Sequence, residues 1–427
     1  MAMRILWVCN ILPPILGEKL GLPGSVKEGW ISGILEQLIQ EPEVETLGVC
    51  FPTNGPARHM GTKLQVGEKE VCLYDFTEDT VHPECYETGL EQRFAEIFDH
   101  FSPYVLHIFG TEYGHTLAAL KAFGKPEKSL VGLQGIISLC AKAYMADLPK
   151  EIQQKRTFRD WLKKDSLLEQ QEKFRIRGER EKESIALTGH VTGRTQFDKD
   201  AALEMNPKVQ YHPMHETMRS CFYTGNWSLE SCKKHSIFFS QADYPLKGFH
   251  YLLQALPKIL QQFPDTTVTV AGNSLVQFHT IKEKLKISAY GAYLRKVMQE
   301  NRLEEKIRFL GKLEAEQMKQ AYLNCHTFVC ASSLENSPNS VAEAMLLGVP
   351  VVAPTVGGIP SMVETEKEGI LYAPGNTEAL AEAIIRLWQQ DELAQNLGAK
   401  GQIKAKKAHN GINNYRKLLA MYQEIGL

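Results

Sequence analysis

The chain of 427 residues has no long apolar run, no Cys-x-x-Cys pair, no internal repeat, no low-complexity tract and almost no net charge. Each absence removes a class of protein. With 48 Lys and Arg against 50 Asp and Glu, the net charge of -2 gives no general attraction to a polyanion, so nucleic acid is not an expected partner. Without a run of roughly 18 apolar residues, no segment is expected to span a membrane. The nine cysteines (Cys9, Cys50, Cys72, Cys85, Cys140, Cys221, Cys232, Cys325, Cys330) are odd in number, which suits thiols in a reducing, cytoplasmic setting. Asn10, Pro13 and Pro14 interrupt the apolar opening from Ile5 to Leu12, so it reads as a buried first strand rather than a signal peptide. What remains, 43% hydrophobic and 23% charged, can fill a core and excludes disorder. At roughly 150 residues per domain, two domains are the starting expectation.

Apolar, β-rich runs alternate with helix-period segments, the pattern of parallel sheets covered by helices on both faces. Strands are expected at Arg4–Cys9, Glu45–Phe51, Tyr104–Phe109 and Ser129–Gln134, then at Ser236–Phe239, Thr266–Ala271, Ile307–Leu310, Thr327–Cys330 and Val349–Ala353. That makes two doubly wound halves, changing over near Cys221 to Lys234. We therefore expect domains at 1–228 and 229–408, with a C-terminal helix at about 409–427 packing back on the first. Leu380, Ala383, Ile384, Leu387 and Trp388 form one apolar helix face after Asn376 and Thr377, and read as core. Residues Lys150 to Glu183 are the most charged stretch, with Phe158, Trp161, Leu162 and Leu168 among basic residues. A solvated helix pair is the favoured reading; a peripheral membrane or lipid-acceptor site is the alternative.

The most informative segment follows the strand at Thr327–Cys330: a polar loop with Glu335, Asn336, Ser337 and Pro338, then a helix carrying Asn339, Ser340, Val341 and Glu343, stopped by Gly348. In a doubly wound sheet, ligands gather beyond the carboxyl ends of the strands. Backbone amides at the start of that helix can hold a phosphate, since Pro338 suits a helix start and Asn339 to Val341 keep their donors. Glu335 and Glu343 can each accept a pair of hydroxyl hydrogen bonds, one on either side of that phosphate. A nucleoside diphosphate sugar has this layout. The bland alternative makes Glu343 a first-turn acid and Glu335 a loop charge.

The Glu335-x7-Glu343 pair, the following Ala-Met-Leu-Leu-Gly-Val-Pro-Val-Val-Ala and the Val356-Gly-Gly-Ile-Pro360 turn resemble glycosyltransferase family 4. The resemblance is strongest from Ser236 to about Trp388. It implies a GT-B fold, two Rossmann-like domains facing an interdomain cleft. It also implies retaining transfer of a sugar from a UDP- or GDP-sugar to a saccharide or glycolipid acceptor, as in bacterial polysaccharide or glycoconjugate assembly. No cofactor and no metal are implied. By the same resemblance Glu335 faces the donor sugar, Glu343 the ribose, Lys247 the donor phosphates, and the backbone of Gly311 and Lys312 the nucleobase. Gly24 and Ser25 lie in a segment resembling the glycine-rich loop of the first domain; a plain flexible loop is the other reading. A sugar-nucleotide epimerase or phosphorylase on the same plan, or a non-catalytic nucleotide-sugar binding protein, are the rivals.

Two positions depart from the pattern. Gln134 stands where the family places a histidine, and Gln241 or Ala242 where it places an arginine. Arg194 is a candidate for the missing cation, with a structural arginine as the alternative. Three other motifs are declined, the first two of them as metal sites. Asp198 and Asp200 fall in a helical stretch, where neighbours two apart diverge. His212 and His215 are expected to be solvent-exposed, and His107 and His115 to be core or rim residues that can at most line an acceptor.

Overall fold

The computed structural model describes residues 3–21, 29–276, 280 and 286–426. Contacts divide the chain into two compact units, the first from residues 1–139, 173–219 and 409–427, the second from 140–172 and 220–408.

The first unit is built on β1 (Met3–Val8), β2 (Val44–Thr53), β3 (Met60–Val66), β4 (Lys69–Thr77), β5 (Val105–Phe109), β6 (Ser129–Gly132), β7 (His190–Gly193) and β8 (Gln210–Pro213). Their order is β3-β4-β2-β1-β5-β6-β7-β8, parallel throughout except for the hairpin β3–β4. Every residue of β5 is buried, as helices on both faces of a parallel sheet require. The second unit contains β9 (Lys233–Phe239), β10 (Thr267–Val270), β11 (Ile307–Phe309), β12 (Cys325–Val329), β13 (Val351–Pro354) and β14 (Ile370–Tyr372). It is parallel in the order β11-β10-β9-β12-β13-β14. The expected apolar helix face lies on Thr377–Gln389, where Asn376 caps the start by accepting from the Ala379 N–H at 2.9 Å.

Residues 140–172 do not belong with the first domain, where the sequence reading placed them, and the changeover falls at 219/220 rather than 228/229. Hydrogen bonds invisible to periodicity anchor that segment in the second unit. His250 donates to the Ala146 carbonyl at 2.8 Å, Tyr251 to the Asp147 carboxylate at 2.7 Å, and the Ala289 N–H to Asp160 at 3.0 Å. The helix Gly411–Gly426 clusters with the first unit. There Trp7 donates to the Tyr422 hydroxyl at 2.8 Å, and that hydroxyl meets His107 Nδ1 at 2.6 Å.

His107 is therefore a core residue of β5, and burial pushes its imidazole down to about 3. An unfolded histidine titrates near 6.5. The unfolded chain takes up a proton in this interval that the folded chain refuses, so the contribution of His107 is intact above about pH 6.5 and is lost as pH falls toward 3. By this linkage His107 costs about 2 kcal/mol between pH 7 and pH 5. The expected result is that His107→Gln removes this share of the acid destabilisation measured by urea unfolding at the two pH values. An unchanged difference would contradict the assignment.

Candidate functional site

In the second sheet the chain leaves β9 toward β10 and β11, then returns on the other side to β12, pairing Thr327 with Ile237 and Phe328 with Phe238. Strand order reverses between β9 and β12, so the loops beyond their carboxyl ends part and leave a crevice. Two loops enter it, one after β9 leading to Lys247, one after β12 leading to Glu335.

The loops are stitched together by backbone. The Ser333 N–H donates to the Leu246 carbonyl at 2.8 Å. Gly248, at φ +70°, lies so close to Ala331 that a Cβ would sit 1.8 Å from its carbonyl oxygen, which only glycine tolerates. Across this seam Lys247 Nζ meets Glu335 Oε1 at 2.6 Å, and the Ser332 hydroxyl donates to the same oxygen at 2.7 Å. A second glycine explains the Gly-Gly-Ile-Pro turn: Gly357, at φ +49°, backs onto Glu335, whose carbonyl accepts from the Gly358 N–H at 3.0 Å. The side chains of Lys247 and Glu335 keep 22% and 12% of their exposure. Burial works against the ammonium, but Glu335 and Tyr244 beside it together outweigh burial and hold Lys247 well above the usual lysine range.

The helix Asn339–Leu346 begins directly after this loop. Asn339 is exposed at its first position and Ser340 half-buried, while Asn336, Ser337 and Val341 are buried. Glu343 is also buried, and accepts from the Tyr322 hydroxyl at 3.2 Å. Tyr322 was not anticipated; nothing in its local sequence distinguishes it from a core tyrosine. Gly311 and the exposed Lys312 lie at the end of β11, two strands from β9, where the Gly272 N–H donates to the Gly311 carbonyl at 2.8 Å. Gly24 and Ser25 lie outside the described residues.

In the first unit, Gln134 follows β6 and Arg194 follows β7, an adjacent strand. Arg194 does not supply a spare cation. Its guanidinium is buried, paired with Glu216 at 2.6 Å, and donates to the carbonyls of Leu133 and Gln134 at 3.1 and 2.9 Å. It positions the Gln134 backbone. Asp198 forms a capping box with Thr195 at the start of Gln196–Met205, and Asp200 accepts from Gln196 at 2.7 Å. Among the described residues no group of three or more His, Cys, Asp or Glu is arranged to hold a metal ion. His212 is buried rather than exposed, because it lies on β8 with its ring stacked on His190 of β7, and His215 is half-buried.

A polar chain went unread in the sequence because Asn10 and Glu78 are distant there from Glu112 and His115. Glu78 meets His115 Nδ1 at 2.6 Å, His115 Nε2 meets Asn10 Oδ1 at 3.1 Å, and Asn10 Nδ2 donates to Glu112 at 3.5 Å. Asn10 and Glu112 follow β1 and β5, where the strand order of the first sheet reverses. Burial opposes the charge on Glu78, but His115 outweighs it and holds the carboxyl below its usual range. Burial raises Glu112.

The family description "Glycosyl transferases group 1" matches residues 228–404. This segment is a group 1 glycosyl transferase domain. The group 1 domain carries the Lys247–Glu335 pair and the helix that follows. Phosphatidyl-myo-inositol mannosyltransferase of Mycobacterium leprae is 29% identical over 167 residues, 39% of this chain and 40% of that protein. The putative glycosyltransferase YtcC of Bacillus subtilis is 25% identical over 263 residues, 57% and 62% of the two chains. The alignments thus span about half the length of these relatives. Solved GT-B structures share the fold over nearly the whole chain. Anabaena Alr3699/HepE in complex with UDP matches with a TM-score of 0.64 at 16% identity over 99% of this chain and 100% of that one. Sucrose-phosphate synthase from Thermosynechococcus elongatus matches with a TM-score of 0.67 at 13% identity over 99% of both. The architecture is GT-B: the first unit and the unit bearing the group 1 domain are each a doubly wound α/β sheet.

Outside the group 1 domain, the Arg194–Glu216 pair sets a clear expectation. Arg194→Ala strands a buried carboxylate and should destabilise the chain by about 3–5 kcal/mol in urea unfolding. Arg194→Met combined with Glu216→Leu should recover much of that loss. A single variant as stable as the parent would show that the pair carries no structural weight.

Proposed function

We propose that the chain is a retaining glycosyltransferase that moves a sugar from a nucleoside diphosphate sugar to a hydroxyl of a saccharide or lipid-linked acceptor. The observation that carries this reading is the Lys247–Glu335 pair, held by two glycine contacts at the switch point of the second sheet.

A cation and an anion 2.6 Å apart neutralise each other until a ligand separates their roles. A pyrophosphate competes for the ammonium, and Glu335, released from it, can accept the paired hydroxyls of the donor sugar. The sugar–oxygen bond then breaks with its electron pair going to the diphosphate. Lys247 and the first amides of Asn339–Leu346 meet the negative charge growing there, so their effect falls on the transition state. The acceptor hydroxyl adds to the oxocarbenium-like carbon from the side the diphosphate leaves, and its proton passes to the departing phosphate oxygen. Configuration is thereby retained. Glu343, oriented by Tyr322, takes the ribose hydroxyls, and the backbone at Gly311 and Lys312 the base. These groups carry the charge without calling on a metal ion.

The UDP seen on the HepE structure supports a nucleotide donor, and the phosphatidyl-inositol named for the mycobacterial relative supports a lipid-linked acceptor. A thermal-shift panel of UDP, GDP, ADP and their sugars is expected to yield one clear stabiliser, since binding protects the native state by mass action. With that donor, Lys247→Ala should lower turnover by about 100-fold or more. Turnover within a factor of about two of the parent would contradict the assignment. A sugar altered without any acceptor would indicate an epimerase, and binding without turnover a binding protein.

A further inference from the structure

Half of the conspicuously exposed large apolar side chains among the described residues lie within eleven consecutive positions. Phe158, Trp161, Leu162 and Leu168 are 63%, 59%, 66% and 50% exposed, whereas Met60, Val81, Ile403 and Ile412 are dispersed along the sequence. Exposed apolar groups clustered in this way usually mark a contact surface.

The local structure shows why they face outward. The helix Phe158–Lys163 is fixed by a capping box between Thr157 and Asp160. Asp160 is buried and also accepts from the Ala289 N–H, so the helix is held by its one acidic residue. Phe158, Trp161 and Leu162 have i, i+3, i+4 spacing and share a face, and the rings of Phe158 and Trp161 stack 6.1 Å apart at 30°. An ordinary surface helix buries its apolar stripe and exposes its charges. This one anchors a carboxylate inside and turns aromatic rings to solvent.

The surrounding charge indicates what those rings meet. Lys155, Arg156, Arg159, Lys163 and Lys164 fall within ten residues whose one acid is the buried Asp160, in a chain of net charge -2. Arg156 is paired with Glu169, and Arg159 with Asp160 and Asp165. Lys155, Lys163 and Lys164 are exposed and lie within three residues of Phe158 or Trp161 along the chain. Tryptophan, phenylalanine and leucine among lysines match an anionic bilayer surface: the rings enter the interface, the ammonium groups meet lipid phosphates. Among the described residues no helix is long and apolar enough to cross a membrane.

We infer that the Lys155–Leu168 segment docks the protein reversibly on bilayers rich in anionic lipid, with Phe158, Trp161 and Leu162 entering the headgroup region. This does not depend on the glycosyl-transfer reading and can fail or hold independently of it. The test is co-sedimentation of the full chain with phosphatidylglycerol-containing vesicles and with pure phosphatidylcholine vesicles, at low and high salt. Binding is expected on the anionic vesicles only, weakened by salt. A triple change of Phe158, Trp161 and Leu162 to Ser, and separately of Lys155, Lys163 and Lys164 to Glu, should each reduce binding at least tenfold. All six side chains are exposed, so the melting temperature should stay near that of the parent. Failure to sediment, equal binding to neutral vesicles, or binding indifferent to both triple changes would overturn the proposal. So would a self-associated chain that the serine variant converts to monomer, since the patch would then meet a second copy.

Discussion

The ion pair between Lys247 and Glu335 depends on one topological fact, that β9 and β12 are neighbours while the chain between them runs outward and back. A parallel sheet opens a crevice only where its strand order turns, and the two loops on either side of that turn are the ones able to face each other. Gly248 then lets them approach within hydrogen-bonding reach, and Gly357, from the loop after β13, packs against the Glu335 backbone. At Gly248 and Gly357 the backbone takes positive φ and lies where any Cβ would collide with a carbonyl oxygen. The glycines of the motif are therefore part of the site's geometry, because they set how far the ammonium is from the carboxylate. In the proposed reading the pair is poised as well as structural, since each charge has a partner that an anionic, hydroxyl-rich ligand would replace.

Much of this was legible in the sequence. Strands buried on both faces announce themselves as short apolar runs, and the strands anticipated on this basis all coincide with observed strands of the two sheets. The hairpin β3–β4 was not among the expected ranges, nor were β7, β8 and β14. β3 is largely exposed, and β8 and β14 are four and three residues long, too short to display a period. The motif around Glu335 was recognisable because acidic residues, loop and helix start coincide in a short window, whereas Lys247 after β9 was marked by the family resemblance. Arg194 was not: a single arginine after a strand gives no sign of Glu216, which comes 22 residues later and neutralises it. His212 was misread for a similar reason, since its burial depends on pairing with β7 and not on its own neighbours. The Glu78–His115–Asn10–Glu112 chain joins residues from separate strands and loops, and local pattern carries no trace of it.

The segment from 140 to 172 shows the limit most plainly. By order along the chain it follows β6 and precedes β7, yet its hydrogen bonds run to His250, Tyr251 and Ala289. A domain assignment read from chain order misses such an excursion, because what decides membership is where polar groups find partners. The same excursion makes its exposed rings intelligible. A helix tethered by Asp160 has no need to bury its apolar face for its own stability, so that face is free for another task.

The most direct test of the central claim is a crystal structure of the chain with the nucleotide sugar that stabilises it best. The account predicts the pyrophosphate within hydrogen-bonding distance of Lys247 Nζ and of the amides opening Asn339–Leu346, with Glu335 turned onto sugar hydroxyls and its bond to Lys247 lengthened. A donor bound elsewhere, with the Lys247–Glu335 pair unchanged at 2.6 Å, would contradict it.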